Sequence, residues 1–169
     1  DFLGANINFY ESGASANGLS RYSARILELL ADGALNPLFT QADFDAERAK
    51  LIEGLKSDEK SASAIAARVQ NVLTFGKEHY NGEFTSEETL KNVTLQDVIN
   101  HYNTYFVPAN AYLVIIGDVK TKDVKKKVEQ LFGADVWKTA TAPNLTYNDP
   151  KDLQYSQINF VDVPNAVQS

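Results

Sequence analysis

Along the chain the spacing of apolar residues changes character several times, and each change marks an element. Ala5, Ile7 and Phe9 alternate with Asn6, Asn8 and Tyr10, a period of two that predicts a half-buried strand ending at Ser12-Gly13. From Leu19 the period becomes three and four. Leu19, Tyr22, Ile26 and Leu30 then share one stripe of an amphipathic helix, which stops at Asn36-Pro37 because the residue before proline avoids helical geometry. A second helix is predicted after Thr40, whose hydroxyl can cap free amides, with Asp43 three residues on as the acid of a shortened capping box. Phe44, Leu51, Ile52 and Leu55 form its apolar face. Residues 62–73 continue in the same style through Ile65, Val69, Val72 and Leu73, with Gly76 as terminator.

Gly76 to Phe84 reads as a loop, and a short helical turn is predicted from Thr85 or Ser86, with Glu87 and Glu88 at the end where the helix dipole favours acids. Thr94 caps a further helix with Val98, Tyr102 and Tyr105 on its face, closed by Pro108. Ala111 to Ile116 is short, apolar and branched, which predicts a buried strand. After the turn at Gly117-Asp118, Thr121 opens a last helix with Val124, Val128, Leu131 and Phe132 inward, and Gly133 ends it. Beyond Trp137 the composition shifts to Thr, Ala, Pro, Asn and Asp, a linker pattern. Gln154 to Val163 alternates imperfectly and is a strand candidate. The expected organisation is an incomplete α+β domain over residues 1–138, a linker over 139–152, and the start of a following domain or a returning strand over 153–169. Both ends read as cut.

Composition narrows the function. With 169 residues and 44% hydrophobic content the chain can bury a sizeable core. Its 22 acidic residues outnumber 16 basic ones, a net charge of -6, which argues against a nucleic-acid partner. The densest basic run, Lys120, Lys122, Lys125, Lys126 and Lys127, lies where the helix pattern presents lysines outward, so it reads as a solvated face. The absence of cysteine excludes disulfides, thiolate zinc sites and cysteine nucleophiles. No apolar run approaches the roughly 20 residues of a membrane span.

A catalytic metal site needs about three protein ligands and an open position. Only His79 and His101 exist, and none of the helical spacings His-x-x-x-His, His-x-x-Glu-His or His-Glu-x-x-His occurs. His79 with Glu83 could meet a metal across a loop, but a surface histidine without such a role is the simpler reading, and His101 reads as structural. Gly-x-Ser-x-Gly and phosphate-cradling glycine loops are missing. Glu87-Glu88 and Asp58-Glu59 read as solvated acids on helical turns. Asn92-Val-Thr94 and Asn144-Leu-Thr146 match the glycosylation acceptor pattern, which arises freely by chance.

The order of several phrases carries more than any of them alone. Leu3-Gly-Ala-Asn-Ile7, Leu27-Glu-Leu-Leu-Ala-Asp32, Asn36-Pro-Leu-Phe39 and Phe44 to Arg48 are followed by Phe75-Gly-Lys-Glu-His-Tyr80 and Leu90-Lys-Asn-Val-Thr94. Tyr105 to Val114, Ile116-Gly-Asp118 and Val163 to Ser169 complete the series. Together they resemble the pitrilysin/insulinase/processing-peptidase family of zinc metallopeptidases, the inverzincins, over nearly the whole chain. His79-Tyr80 departs from the common His-Pro-Tyr form. The resemblance implies a mixed β-sheet covered on one face by helices, a two-layer sandwich, consistent with the strand, helices, strand order read directly.

In that family a His-x-x-Glu-His helix supplies two zinc ligands and the general base, and a later glutamate completes the site. Ungapped alignment puts Glu47 at the place of a supporting glutamate and Gly54 at the place of the ligand. Glycine has no side chain to bind a metal, and Glu53 is rotated from that place by about 100° on a helix. The resemblance therefore implies a ligand-free domain with no catalytic residue and no metal ligand of its own. It helps enclose a peptide, beside a second peptidase-like domain or subunit, in a parent that can hold zinc elsewhere. Family habits suggest a bacterial periplasmic or secreted setting. Two alternatives remain at this point: the carboxyl part of an active domain, with Glu53 as third ligand after a one-residue slip, or an assembly module without proteolysis.

Overall fold

The computed structural model describes residues 6–10, 13–138, 140–144, 146, 149–150 and 156–162. It groups the chain into two compact units, Asp1–Phe39 with Ile99–Pro143, and Thr40–Val98 with Asn144–Ser169.

In the first unit, strand β1 (Asn6–Tyr10) pairs antiparallel with β2 (Gly13–Asn17), Asn6 opposite Asn17 and Tyr10 opposite Gly13. The first strand was expected; the second was not. Gly-Ala-Ser-Ala-Asn has no apolar alternation and little strand propensity, so its conformation comes from the ladder β1 offers rather than from its own residues. After one 3-10 turn (Ser20–Tyr22), helix α1 (Ser23–Leu35) packs against β2 and against α6 (Thr121–Phe132). Ile26, Leu27, Leu30 and Ala31 of α1 are buried, and with Val107 they make up the core among the described residues. Full burial of each large aliphatic side chain contributes about 2 kcal/mol.

The carboxyl end of α1 is closed by polar and aromatic groups. Asn36 N–H bonds Asp32 O at 2.9 Å, and its side-chain amide donates to Asp32 Oδ1 at 3.1 Å. Tyr102, on α5 (Leu95–Tyr105), donates its hydroxyl to Ala34 O at 2.6 Å, one of the carbonyls the helix itself leaves free. Its ring meets Phe39 edge-on at 5.4 Å and stacks on Phe106 at 5.0 Å, which in turn stacks on Trp137 at 5.2 Å. Burial raises the Tyr102 phenol above its ordinary range. Across α1 and α6, Lys127 pairs with Glu28, which Arg25 also contacts at 3.1 Å. The Lys127 hydrogen bond, then the Arg25 bond, holds the Glu28 carboxyl below its usual range.

The second unit contains helices α2 (Gln41–Asp58), α3 (Ala62–Phe75) and α4 (Glu87–Asn92), with α2 against α4. Each start is capped by a hydroxyl, as the sequence led us to expect for Thr40. Thr40 Oγ1 accepts from Asp43 N at 3.1 Å and Ser61 Oγ from Ala64 N at 3.3 Å. At α4, Ser86 Oγ accepts from Thr89 N at 3.1 Å while Thr89 Oγ1 accepts from Ser86 N at 2.9 Å, a reciprocal box. Arg68 lies 4.3 Å over the Phe84 ring and donates to Thr85 O at 3.2 Å, tying α3 to the approach of α4. Gly76 ends α3 at a φ of +83°, a conformation that favours glycine.

Two strand expectations are corrected. Residues 111–116 are not assigned to a strand and are exposed, Tyr112 at 96% and Ile116 at 92%. Residues 156–162 likewise form no strand and are exposed, the rest of the Gln154 to Val163 expectation lying outside the described residues. Apolar branching favours an extended backbone, but a strand also needs a neighbour to accept its hydrogen bonds, and neither stretch has one among the described residues. The architecture is thus helix-rich α+β with a small two-stranded sheet.

Tyr102→Phe removes the bond to Ala34 O and is expected to lower stability by about 1 kcal/mol, read as a shift in urea midpoint. At the start of α5, Thr94 N–H and hydroxyl both donate to Asp97 Oδ2, at 2.8 and 2.6 Å, and hold its pKa below the usual range. A depressed carboxylate stabilises the fold above its unfolded pKa, and that contribution disappears as pH falls through the lower, folded value. Acidification below the ordinary aspartate range is therefore expected to loosen the first turn of α5, and Asp97→Asn to remove that pH dependence, in amide exchange of Val98 and Ile99.

Candidate functional site

Helix α2 carries the three positions singled out in the sequence. Thr40 starts it, and its solvent side is laced by i,i+3 ion pairs that suit an exposed helix. Glu47 and Gly54 lie seven residues apart, two turns on one face, whereas Glu53 is turned by about 100° from Gly54. Glu47 pairs with Lys50 at 3.4 Å and Glu53 with Lys56 at 2.8 Å. Their side chains are 67% and 72% exposed. The Glu53 hydrogen bond and its charge, with smaller contributions from Glu87 and Glu59, raise the Lys56 ammonium above its ordinary range. A Cβ at Gly54 would meet nothing within 4 Å, so no close approach requires glycine there.

The acids of α2 are thus exposed and satisfied by neighbouring lysines, with no imidazole among their polar contacts in the described residues. Among the described residues no group of three or more His, Cys, Asp or Glu side chains could hold a metal ion. The donor set on α2 does not fit a catalytic zinc, which needs about three convergent ligands.

The other candidates are placed in local structure. His79 Nδ1 accepts from Asn81 N–H at 3.1 Å, and its ring stacks on Phe75 at 5.2 Å and Tyr80 at 4.5 Å, so this nitrogen already serves the loop. Glu83 meets His79 through its backbone, N–H to His79 O at 2.9 Å. His101 lies on α5 with its ring 4.7 Å from that of Tyr105. In the lysine run, Lys127 pairs with Glu28 and Lys125 lies 3.9 Å from Glu129, while the rest face solvent as expected. Asn92 and Asn144 are exposed. The Arg68 and Phe84 contact escaped the sequence reading, since a pair 16 positions apart on a helix and in a loop leaves no periodic signal.

Residues 92–162 match the family model described as "Peptidase M16 inactive domain". No curated protein matches the chain. A protease from Helicobacter pylori is similar in structure, with a TM-score of 0.75 and 18% identity, covering 88% of this chain and 38% of that one. The first half of the periplasmic protease PqqL from Escherichia coli is similar with a TM-score of 0.67 and 14% identity, covering 86% of this chain and 33% of that one. The chain therefore spans only about a third of the length of either structure, 38% and 33%. Likeness at these identities speaks to fold alone. Over residues 92–162 the chain is thus similar to an inactive domain of peptidase M16, within the stretch over which its ordered phrases resemble that family.

Proposed function

We propose that this chain is a non-catalytic, peptide-enclosing domain of a larger zinc-dependent metallopeptidase, in which hydrolysis is carried by another domain. The observation that carries the reading is the inactive-domain match over residues 92–162. The geometry of α2 supports it: Gly54 stands two turns beyond Glu47, where the resemblance places a zinc-binding acid, and Glu53 is turned away and bonded to Lys56 at 2.8 Å. A carboxylate engaged by an ammonium must give up that bond before it can bind a metal, and no imidazole among the described residues pairs with it to share one.

In the larger protein, a second peptidase-like domain or subunit supplies zinc ligands and general base, and a peptide lies between the two. A mixed sheet with helices on one face is the finer architecture proposed. Residues 139–152 are proposed as a linker, and 153–169 as the start of a second domain or a strand returning to the first. A periplasmic or secreted setting is supported by the description of PqqL as periplasmic.

Zinc content of the full-length parent, measured beside Glu53→Ala and Gly54→Glu forms, tests the assignment. Zinc is expected in the parent at a level indifferent to both changes. Loss of zinc in Glu53→Ala would instead place this segment in an active centre, and a parent with neither zinc nor peptide hydrolysis would make it an assembly module. Because space is open around Gly54, Gly54→Ala is expected to raise stability by about 0.5–1 kcal/mol through helix propensity, measured by urea unfolding.

A further inference from the structure

Between α3 and α4 the chain turns tightly over residues 76–83. Gly82 N–H donates to His79 O at 2.7 Å, Glu83 N–H to the same oxygen at 2.9 Å, and His79 N–H to Gly76 O at 3.3 Å. Asn81 N–H donates to His79 Nδ1 at 3.1 Å. Gly82 is buried, and a Cβ on it would come 1.9 Å from Gly76 O, so the turn admits glycine alone at this position. Asn81 is exposed, and among the described residues no hydrogen bond engages its side-chain amide.

The turn therefore imposes a chemically labile pair. Asparagine is thermolabile, and its breakdown runs through attack of the following backbone nitrogen on the side-chain carbonyl carbon, which a glycine without Cβ leaves unhindered. We infer that Asn81 is a self-modification site gated by this loop. While Gly82 N–H is bonded to His79 O, the nitrogen is committed to the turn; opening the loop releases it. The freed nitrogen gives its proton to water and bonds to Asn81 Cγ, the carboxamide C–N bond breaks, and the amide nitrogen takes up a proton from water in its place and leaves as ammonia. Water then opens the five-membered imide at either carbonyl. One water is consumed, one ammonia is lost, and the product is aspartate or its β-linked isomer, with no oxidant or reductant involved. Each event adds a negative charge near Glu78 and Glu83 in the chain, and the β-linked product lengthens the backbone where Gly82 already crowds Gly76 O. The modified loop cannot reclose in its original form.

The test is incubation of the full chain at mildly alkaline pH, folded and in urea, with conversion at Asn81 followed by peptide mass spectrometry. Conversion is expected in urea and at least about 10-fold slower in the folded chain, the ratio being set by the opening equilibrium. His79→Ala, which removes the Nδ1 acceptor, is expected to speed conversion of the folded chain, and Asn81→Gln to suppress it. Equal rates in the two states overturn the gate, and no conversion in urea overturns the site. Should His79→Ala unfold the chain, amide exchange of Gly82 in the unaltered protein decides: conversion must track that exchange as temperature is varied, and independence of the two overturns the inference.

Discussion

One stripe of α1 carries most of what is buried among the described residues. Ile26, Leu27, Leu30 and Ala31 recur at helical spacing and turn away from solvent against β2 and α6, so those elements hold their places because α1 has a face to hide. The same helix sets where the aromatic row begins. Its terminal carbonyls need partners, Tyr102 supplies one, and Phe39, Phe106 and Trp137 gather around that bond. The pair between Lys127 and Glu28 lies on the α1 to α6 contact and orients it, although surface pairs of this kind stabilise little.

The second unit is ordered by different means. No hydrophobic residue among its described positions is fully buried, and its order rests on hydroxyl caps, i,i+3 and i,i+4 ion pairs and the Arg68 and Phe84 contact. Local interactions of this kind are strong determinants of where helices begin and weak determinants of how they pack. This explains why α2, with Glu47, Glu53 and Gly54, presents open space and lysine partners instead of a convergent pocket.

The similarity to an inactive peptidase M16 domain lies in residues 92–162, which include all of α5 and α6 and the exposed apolar run at 111–116. That run has the composition of a strand interior and the surroundings of an unpaired edge. Strand pairing is a property of two segments, and among the described residues no second segment pairs with this one.

Sequence alone determined the helices, because their signals are local: apolar spacing along α1, the Thr40 and Thr94 hydroxyls, Gly76 and Pro108. It also established that cysteine is absent and that neither histidine stands in a His-x-x-Glu-His or His-Glu-x-x-His spacing. Tertiary structure alone decided that Gly-Ala-Ser-Ala-Asn is β2, that 111–116 stands exposed, and that Arg68 reaches Phe84. It also decided that Gly82 is pressed against Gly76. Each of these depends on a partner elsewhere in the chain or on backbone direction, and neither is written in the period of a single segment.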